Sequence, residues 1–272
     1  MAWSTTTTTT RSPQVPCMFI FGDSLVDNGN NDQLLTISRA NYPPYGIDFA
    51  QGSSGRFSNG RTLADVLAQL LGFRDFIPSY ALAQSSSILK GLNYASGASG
   101  IRDETGNNLN LYNLGARKFA IIGVGQIGCI PYELARMNNR NEKNHCNEEI
   151  NRAISIYNNG LIKMIDRFNN GELPGANFVY VNTYESSKDV AGNATSYGFE
   201  VLDKGCCGVG RNNGQITCLP FQQPCPDRSK YLFWDAFHPT EAANVIYARK
   251  AFGSTDLSEV YPMNIKQLAS CV

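Results

Sequence analysis

The chain has 272 residues, 42% of them hydrophobic, and its 23 basic and 23 acidic side chains give a formal net charge of zero. That is enough for one large domain or two small ones with a sizeable core. The balance excludes the basic field that a nucleic acid or strongly anionic partner requires, and no apolar run approaches the roughly 20 residues of a membrane-spanning helix.

Residues 1–14 read as a disordered N-terminal segment. They carry a low-complexity threonine run at 5–10 and no apolar core of the kind a signal peptide has. A buried strand is expected at 17–21. It ends in Gly22-Asp23-Ser24, followed by a polar run of Asp, Asn and Gly. Residues 41–59 are rich in Gly, Pro and Ser and read as loop. Thr62 caps a helix whose apolar residues Leu63, Val66, Leu67, Leu70 and Leu71 share one face, and Gly72 suits its end. Residues 92–95 are strand-like. "KFAIIGVG", from Lys118, is an unalternating apolar strand of the parallel-sheet kind. Asn147 opens a helix with Ile150, Ile154, Tyr157, Leu161, Ile165 and Phe168 on one face. A further buried strand is expected at 177–182, and Thr240 caps a closing helix through Phe252. Strands alternating with helices predict an α/β layered domain with a parallel sheet.

Eight cysteines are many for a cytosolic enzyme of this size. Cys206, Cys207, Cys218 and Cys225 crowd into one stretch with no paired C-x-x-C spacing. This favours disulfides in an oxidising compartment over a zinc site. Cys218 and Cys225 are the candidates for a local bridge, and adjacent Cys206 and Cys207 are not expected to pair with each other. Asn193-Ala194-Thr195 is an N-glycosylation acceptor if the chain is secreted.

Several weaker signals carry bland readings. Gly123 to Gly128 matches G-x-G-x-x-G after a strand, but Pro131 fits poorly in the helix that a dinucleotide site would open there. Close packing at a glycine-rich strand exit is the better reading. Asn213-Gly214 reads as a hairpin turn. His145, in "NEKNHCNEE", reads as a surface histidine.

The strongest chemical signal is "FWDAFHPTEAAN". Asp235 stands three residues before His238, one of only two histidines. A carboxylate there can accept from one ring nitrogen, leaving the other to take a proton from a hydroxyl. Ser24, at a strand exit, supplies that hydroxyl. Strand ends of a parallel sheet converge on one edge, so Ser24, Asp235 and His238 can form a triad. The bland alternative is that Ser24 closes a turn and His238 caps a helix.

"FIFGDSLVDNGNN", "GRFSNGRTLADVLAQLLG", "GLNYASGASGIRDETG", "GARKFAIIGVGQIGCIPYE" and "YLFWDAFHPTEAAN" together resemble the blocks of plant GDSL esterase/lipases, members of the SGNH hydrolases. The resemblance runs in order from Val15 to the C-terminus. It implies a three-layer α/β/α domain over 15–272 and a serine esterase or lipase acting on small-molecule or lipid esters. It implies an extracellular location and no metal or cofactor. By this resemblance Ser24 is the nucleophile, with Asp235 and His238 as its partners. The oxyanion donors are the main-chain N–H of Ser24 and that of Gly97 or Ala98. The family's G-x-N-D block, whose asparagine is the third donor, is missing: "GIRDETGNNLN" runs almost directly into "LYNLGARKFAIIGVG". The expectation is an internal truncation near 108–113 that removes this donor and leaves open whether a central strand is lost. Asn107 or Asn108 could substitute. The rival readings are a catalytically impaired or inactive truncated isoform and, more weakly, a dinucleotide-dependent enzyme.

Overall fold

The computed structural model of the protein describes residues 12–83, 88–100, 111–137 and 146–271. The threonine run, His145, Asn107 and Asn108 lie outside the described residues. In chain order the elements are α1 (Leu63–Leu70), β1 (Lys118–Ile122), α2 (Pro131–Arg136), α3 (Glu148–Arg167), β2 (Asn177–Val181) and α4 (Thr183–Gly192). They continue with β3 (Val201–Gly205), β4 (Tyr231–Phe233), α5 (Glu241–Gly253), β5 (Val260–Tyr261) and α6 (Ile265–Ser270).

The helices begin where the sequence puts their caps. Thr62 and Asp65 form a capping box at α1, and Asn147 and Thr240 cap α3 and α5. Gly72, with φ of +92°, ends α1 in a conformation that costs glycine little. Asp65 also pairs with Arg56 at 2.7 Å, both side chains buried, so the loop before α1 is pinned to the helix.

β1 and β2 pair in parallel, Lys118 against Asn177 through Ile122 against Val181, and β5 joins β2 antiparallel. Helices cover both faces. Val179 and Val181 pack with residues of α1, α5 and α6 and with Ile20. Phe178 and Tyr180 point the other way, onto Ile165 of α3. This is a three-layer α/β/α arrangement. β3 and β4 form a second, two-stranded parallel sheet.

The expected strand at 17–21 is reduced. Residues 18–22 lie parallel to 90–96: the N–H groups of Met18 and Ile20 donate to Lys90 and Leu92, and those of Tyr94 and Ser96 donate to Ile20 and Gly22. Regular pairing amounts to one bridge, Ile20 with Asn93. The backbone groups of Phe19 and Phe21, which face the other edge, have no partner among the described residues. Both side chains are exposed, at 47% and 39%. Among the described residues β1 is likewise an edge strand, and its Ile122 is 41% exposed.

The glycine-rich exit of β1 is a packing device. A Cβ on Gly123 would lie 2.3 Å from the Tyr180 hydroxyl, and one on Gly128 2.2 Å from the Asn147 carbonyl. A 3-10 turn, Ile127–Cys129, follows instead of a long helix, and Pro131 opens the six-residue α2. The expected hairpin is present but wider than a two-residue turn. Val209 and Ile216 pair across it, and Asn212 and Asn213, not Gly214, take positive φ.

Three disulfides form: Cys129–Cys146, Cys206–Cys225 and Cys207–Cys218. The expected Cys218–Cys225 bridge is therefore wrong. The hairpin turns the chain back, so Cys218 meets Cys207, and the Cys225 N–H donates to the Cys206 carbonyl at 2.8 Å. Adjacent Cys206 and Cys207 each take a separate partner.

Candidate active site

Ser24 stands at the end of the 18–22 segment, where Asp23 builds a tight turn. The Asp23 side chain accepts from the Leu25 N–H at 2.9 Å, and its carbonyl accepts from the Asp27 N–H at 3.0 Å. The polar run behind Ser24 ties this turn to the segment around Gly97. Asn30 Nδ2 donates to the Asn93 and Ala95 carbonyls at 2.8 and 2.7 Å. Asn31 Nδ2 donates to the Gly97 carbonyl at 3.0 Å, and Ser96 Oγ donates to Asn31 Oδ1 at 2.6 Å. Asn93 returns a bond to the Val26 carbonyl at 2.6 Å.

Asp235 and His238 lie between β4 and α5. The Trp234 N–H donates to the His238 carbonyl at 2.7 Å, closing the turn that carries both side chains. His238 Nδ1 lies 2.8 and 2.9 Å from the two Asp235 carboxylate oxygens. His238 Nε2 lies 2.8 Å from Ser24 Oγ, although the residues are 214 apart in sequence. The structure thus brings Ser24, His238 and Asp235 into one hydrogen-bonded row.

Asp235 is fully buried. Burial alone would push its pKa up. The His238 ring, the Tyr45 hydroxyl and the Phe237 N–H together outweigh burial and hold the carboxyl below its ordinary value of 3.8. An ionised Asp235 only accepts, so Nδ1 must carry a proton. Nε2 is then left with a lone pair facing the Ser24 hydroxyl. The phenyl ring of Phe57 packs 5.1 Å from the imidazole.

Of the two expected main-chain donors near Gly97, one is engaged. The Gly97 N–H donates to Asp27 Oδ2 at 2.8 Å. Asp27 is fully buried, and its Oδ1 accepts from the N–H groups of Gly29 and Asn30 at 2.9 Å each. Ala98 has φ of +70°, uncommon for a residue with a side chain, and its N–H has no partner among the described residues. The Ser24 N–H likewise has no partner among the described residues. Such strain is a pointer to function when it recurs beside a reactive group.

Sequence reasoning missed two residues. Tyr45 donates its hydroxyl to Asp235 Oδ2 at 2.6 Å from 190 residues away. Asp27 was one acidic residue in a polar run, with no local sign that it reaches Gly97. Asn193 is exposed, and its amide donates to Asp189 at 2.7 Å. Among the described residues no group of three or more His, Cys, Asp or Glu is arranged to hold a metal ion, and no helix is long and apolar enough to cross a membrane.

Comparison with known proteins places this arrangement in context. A sequence model described as GDSL-like lipase/acylhydrolase matches residues 18–113 and 103–251, in two pieces that meet at 103–113. One GDSL esterase/lipase of Arabidopsis thaliana is 48% identical over 341 residues, covering 94% of this chain and 92% of the relative. A second is 44% identical over 340 residues, covering 95% and 93%, and a third 42% over 339, covering 94% and 93%. The first alignment has 341 positions against a chain of 272, so at least 69 of them face no residue of this chain. On the family match and on these identities, the chain belongs to the GDSL-like lipase/acylhydrolase family.

Proposed function

We propose that the protein is a serine ester hydrolase in which His238 activates Ser24 and Asp235 orients His238. The observation that carries this reading is the continuous row from Ser24 Oγ through the imidazole to a fully buried carboxylate. His238 Nε2 takes the hydroxyl proton as Ser24 Oγ attacks an ester carbonyl. The imidazolium so formed is stabilised by Asp235. The oxyanion sits on the N–H groups of Ser24 and Ala98, which have no partner among the described residues. His238 then passes the proton to the leaving alcohol. Water, deprotonated by the same nitrogen, cleaves the acyl-enzyme and restores Ser24.

The protein lacks an internal stretch near 108–113, and with it the G-x-N-D asparagine. The two-piece family match and the excess of aligned positions over chain length support this reading. Loss of one oxyanion donor costs about 100- to 1000-fold in turnover. The enzyme therefore retains the triad and works slowly. Its substrates are small carboxylic esters or lipids, as the names of its Arabidopsis relatives indicate for those proteins. Three disulfides fit a secreted protein, for which Asn193 is the glycan acceptor.

The test is hydrolysis of p-nitrophenyl butyrate by the purified chain, by its Ser24→Ala variant and by the 48%-identical relative. The expected result is slow turnover, abolished in Ser24→Ala, at about 100- to 1000-fold below the relative. Turnover that survives Ser24→Ala would overturn the nucleophile assignment. A rate equal to the relative's would overturn the account of the missing donor.

A further inference from the structure

We propose that Tyr45 is a positioning residue for the triad: its buried phenol locks the Asp235 carboxylate, and the loop closed by Cys207–Cys218 in turn locks the phenol. The inference rests on the ester-hydrolase reading of the same site.

The two oxygens of Asp235 are held differently. Oδ1 accepts from the main-chain N–H groups of Phe237 and His238 at 2.9 Å each, bonds that the local turn supplies. Among the described residues Oδ2 has no main-chain donor. Apart from the imidazole at 2.9 Å, it is held by Tyr45 Oη at 2.6 Å. A short bond from a hydroxyl to a carboxylate is of the strong, charge-assisted kind. With donors on both oxygens the carboxylate cannot rotate about its Cβ–Cγ bond. Without Tyr45, a fully buried anionic oxygen would have only the imidazole to bind, and the carboxylate plane could turn away from the ring.

The phenol is itself held. Tyr45 is 2% exposed and packs edge-on against Tyr42, Phe57 and Trp234, with centroids 5.4, 6.1 and 6.1 Å away. Phe57 is also the ring against His238, so one aromatic wall supports both partners of the carboxylate. Thr217, beside the phenol, directly precedes Cys218 of the Cys207–Cys218 bridge. Cys207 and Cys218 pack in the same buried cluster as Tyr45. The titratable groups facing the phenol are Asp235 and Tyr42.

The experiment compares the full chain with Tyr45→Phe, the double variant Cys207→Ala/Cys218→Ala and Tyr261→Phe. Tyr261 donates to Asp166 Oδ1 at 2.8 Å and packs against a different buried cluster, so it controls for loss of a tyrosine–carboxylate bond elsewhere. Two readouts are taken. One is the pH profile of kcat and KM on p-nitrophenyl butyrate. The other is the proton resonance of His238 Nδ1, which reads the Asp235–His238 bond without turnover and is assigned against His145→Gln. Tyr45→Phe is expected to lower kcat about 10- to 100-fold with KM little changed. The carboxylate, released on Oδ2, turns relative to the ring, so the Nδ1 resonance shifts. The double cysteine variant, which keeps the phenol, lowers kcat and shifts the resonance in the same direction by less. Tyr261→Phe leaves both unchanged. An Nδ1 resonance unmoved by Tyr45→Phe, or moved equally by Tyr261→Phe, overturns the inference even if the wild-type chain hydrolyses no ester. If the resonance behaves as expected and no ester is turned over, the positioning role stands and the hydrolase reading fails.

Discussion

Replacing Asp27 by Asn tests how the segment after Gly97 is held. Asp27 receives three main-chain N–H groups on two oxygens: Gly29 and Asn30 on Oδ1, Gly97 on Oδ2. An amide offers only one carbonyl oxygen. That oxygen keeps the two donors, so the NH2 group faces the Gly97 N–H. One buried donor is then orphaned opposite another, at about 1–3 kcal/mol. An opposing effect comes from charge. Burial raises the Asp27 pKa above 3.8, against the pull of its main-chain donors, and a neutral amide escapes that penalty. Because the folded value is raised, the stability Asp27 contributes is fully present below 3.8 and is lost as pH rises through the folded value. The deficit of Asp27→Asn should therefore be largest in acid and narrow toward neutrality. Calorimetry would read it at about 2–4 °C of Tm per kcal/mol. Activity follows geometry instead: a Gly97 peptide pushed off Asp27 displaces the neighbouring Ala98 N–H, so kcat should fall at least about tenfold at every pH. Amide hydrogen exchange at Gly97 should lose protection in parallel. Unchanged exchange together with unchanged kcat would refute the view that Asp27 sets this segment.

Asp32 has an Oδ1 buried without a partner, and burial with the nearby Asp27 charge raises its pKa to about 6. Its stabilising contribution is present below 3.8 and is lost as pH rises through about 6. Asp32→Asn should thus be more stable than wild type at pH 8 and not at pH 4, read as Tm at the two pH values. Replacing Cys207 and Cys218 by Ala opens a loop of sequence separation 11, worth about 3 kcal/mol by chain entropy. Denaturant unfolding should show that loss, and kcat should fall beyond it if the loop supports Tyr45.

The parts of the site that were legible in the sequence are those whose geometry is local. Asp235 and His238 are three apart on one turn, and Thr62, Asn147 and Thr240 sit directly before apolar helical faces. Ser24 was legible because a strand exit is where a parallel sheet presents its chemistry. Tyr45 was not, because nothing in "YPPYG" says that the loop folds back 190 residues onto a carboxylate. Nor was Asp27, whose partner is Gly97 across a ladder that only the fold creates. The cysteine pairing failed for the same reason. Proximity in sequence favoured Cys218 with Cys225, whereas the Val209–Ile216 hairpin reverses the chain between the partners.

Two apolar stretches read as interior strands and are not. Residues 18–22 and β1 both have the unalternating character of strands with neighbours on each side, yet each is paired along one edge only. Both reach the same hydrophobic layer: Ile20 packs into it, and the β2 residues Val179 and Val181, opposite Ala120 and Ile122 of β1, pack there too. Unpaired backbone along Phe19 and Phe21 is tolerable only because that edge is open to water. A further parallel strand beside β1 would extend its ladder and cover Ile122. On the truncation reading, that strand lies in the stretch missing near 108–113, the stretch that in the resembling family carries the G-x-N-D asparagine. We propose that the open edge of β1 and the missing oxyanion donor have one cause. The proposed triad escapes because its members come from outside that stretch: Ser24 from the turn after the 18–22 segment, Asp235 and His238 from the turn before α5. The segment bearing Ala98 escapes because Asp27, Asn30 and Asn31 tie it to the Ser24 turn and not to β1.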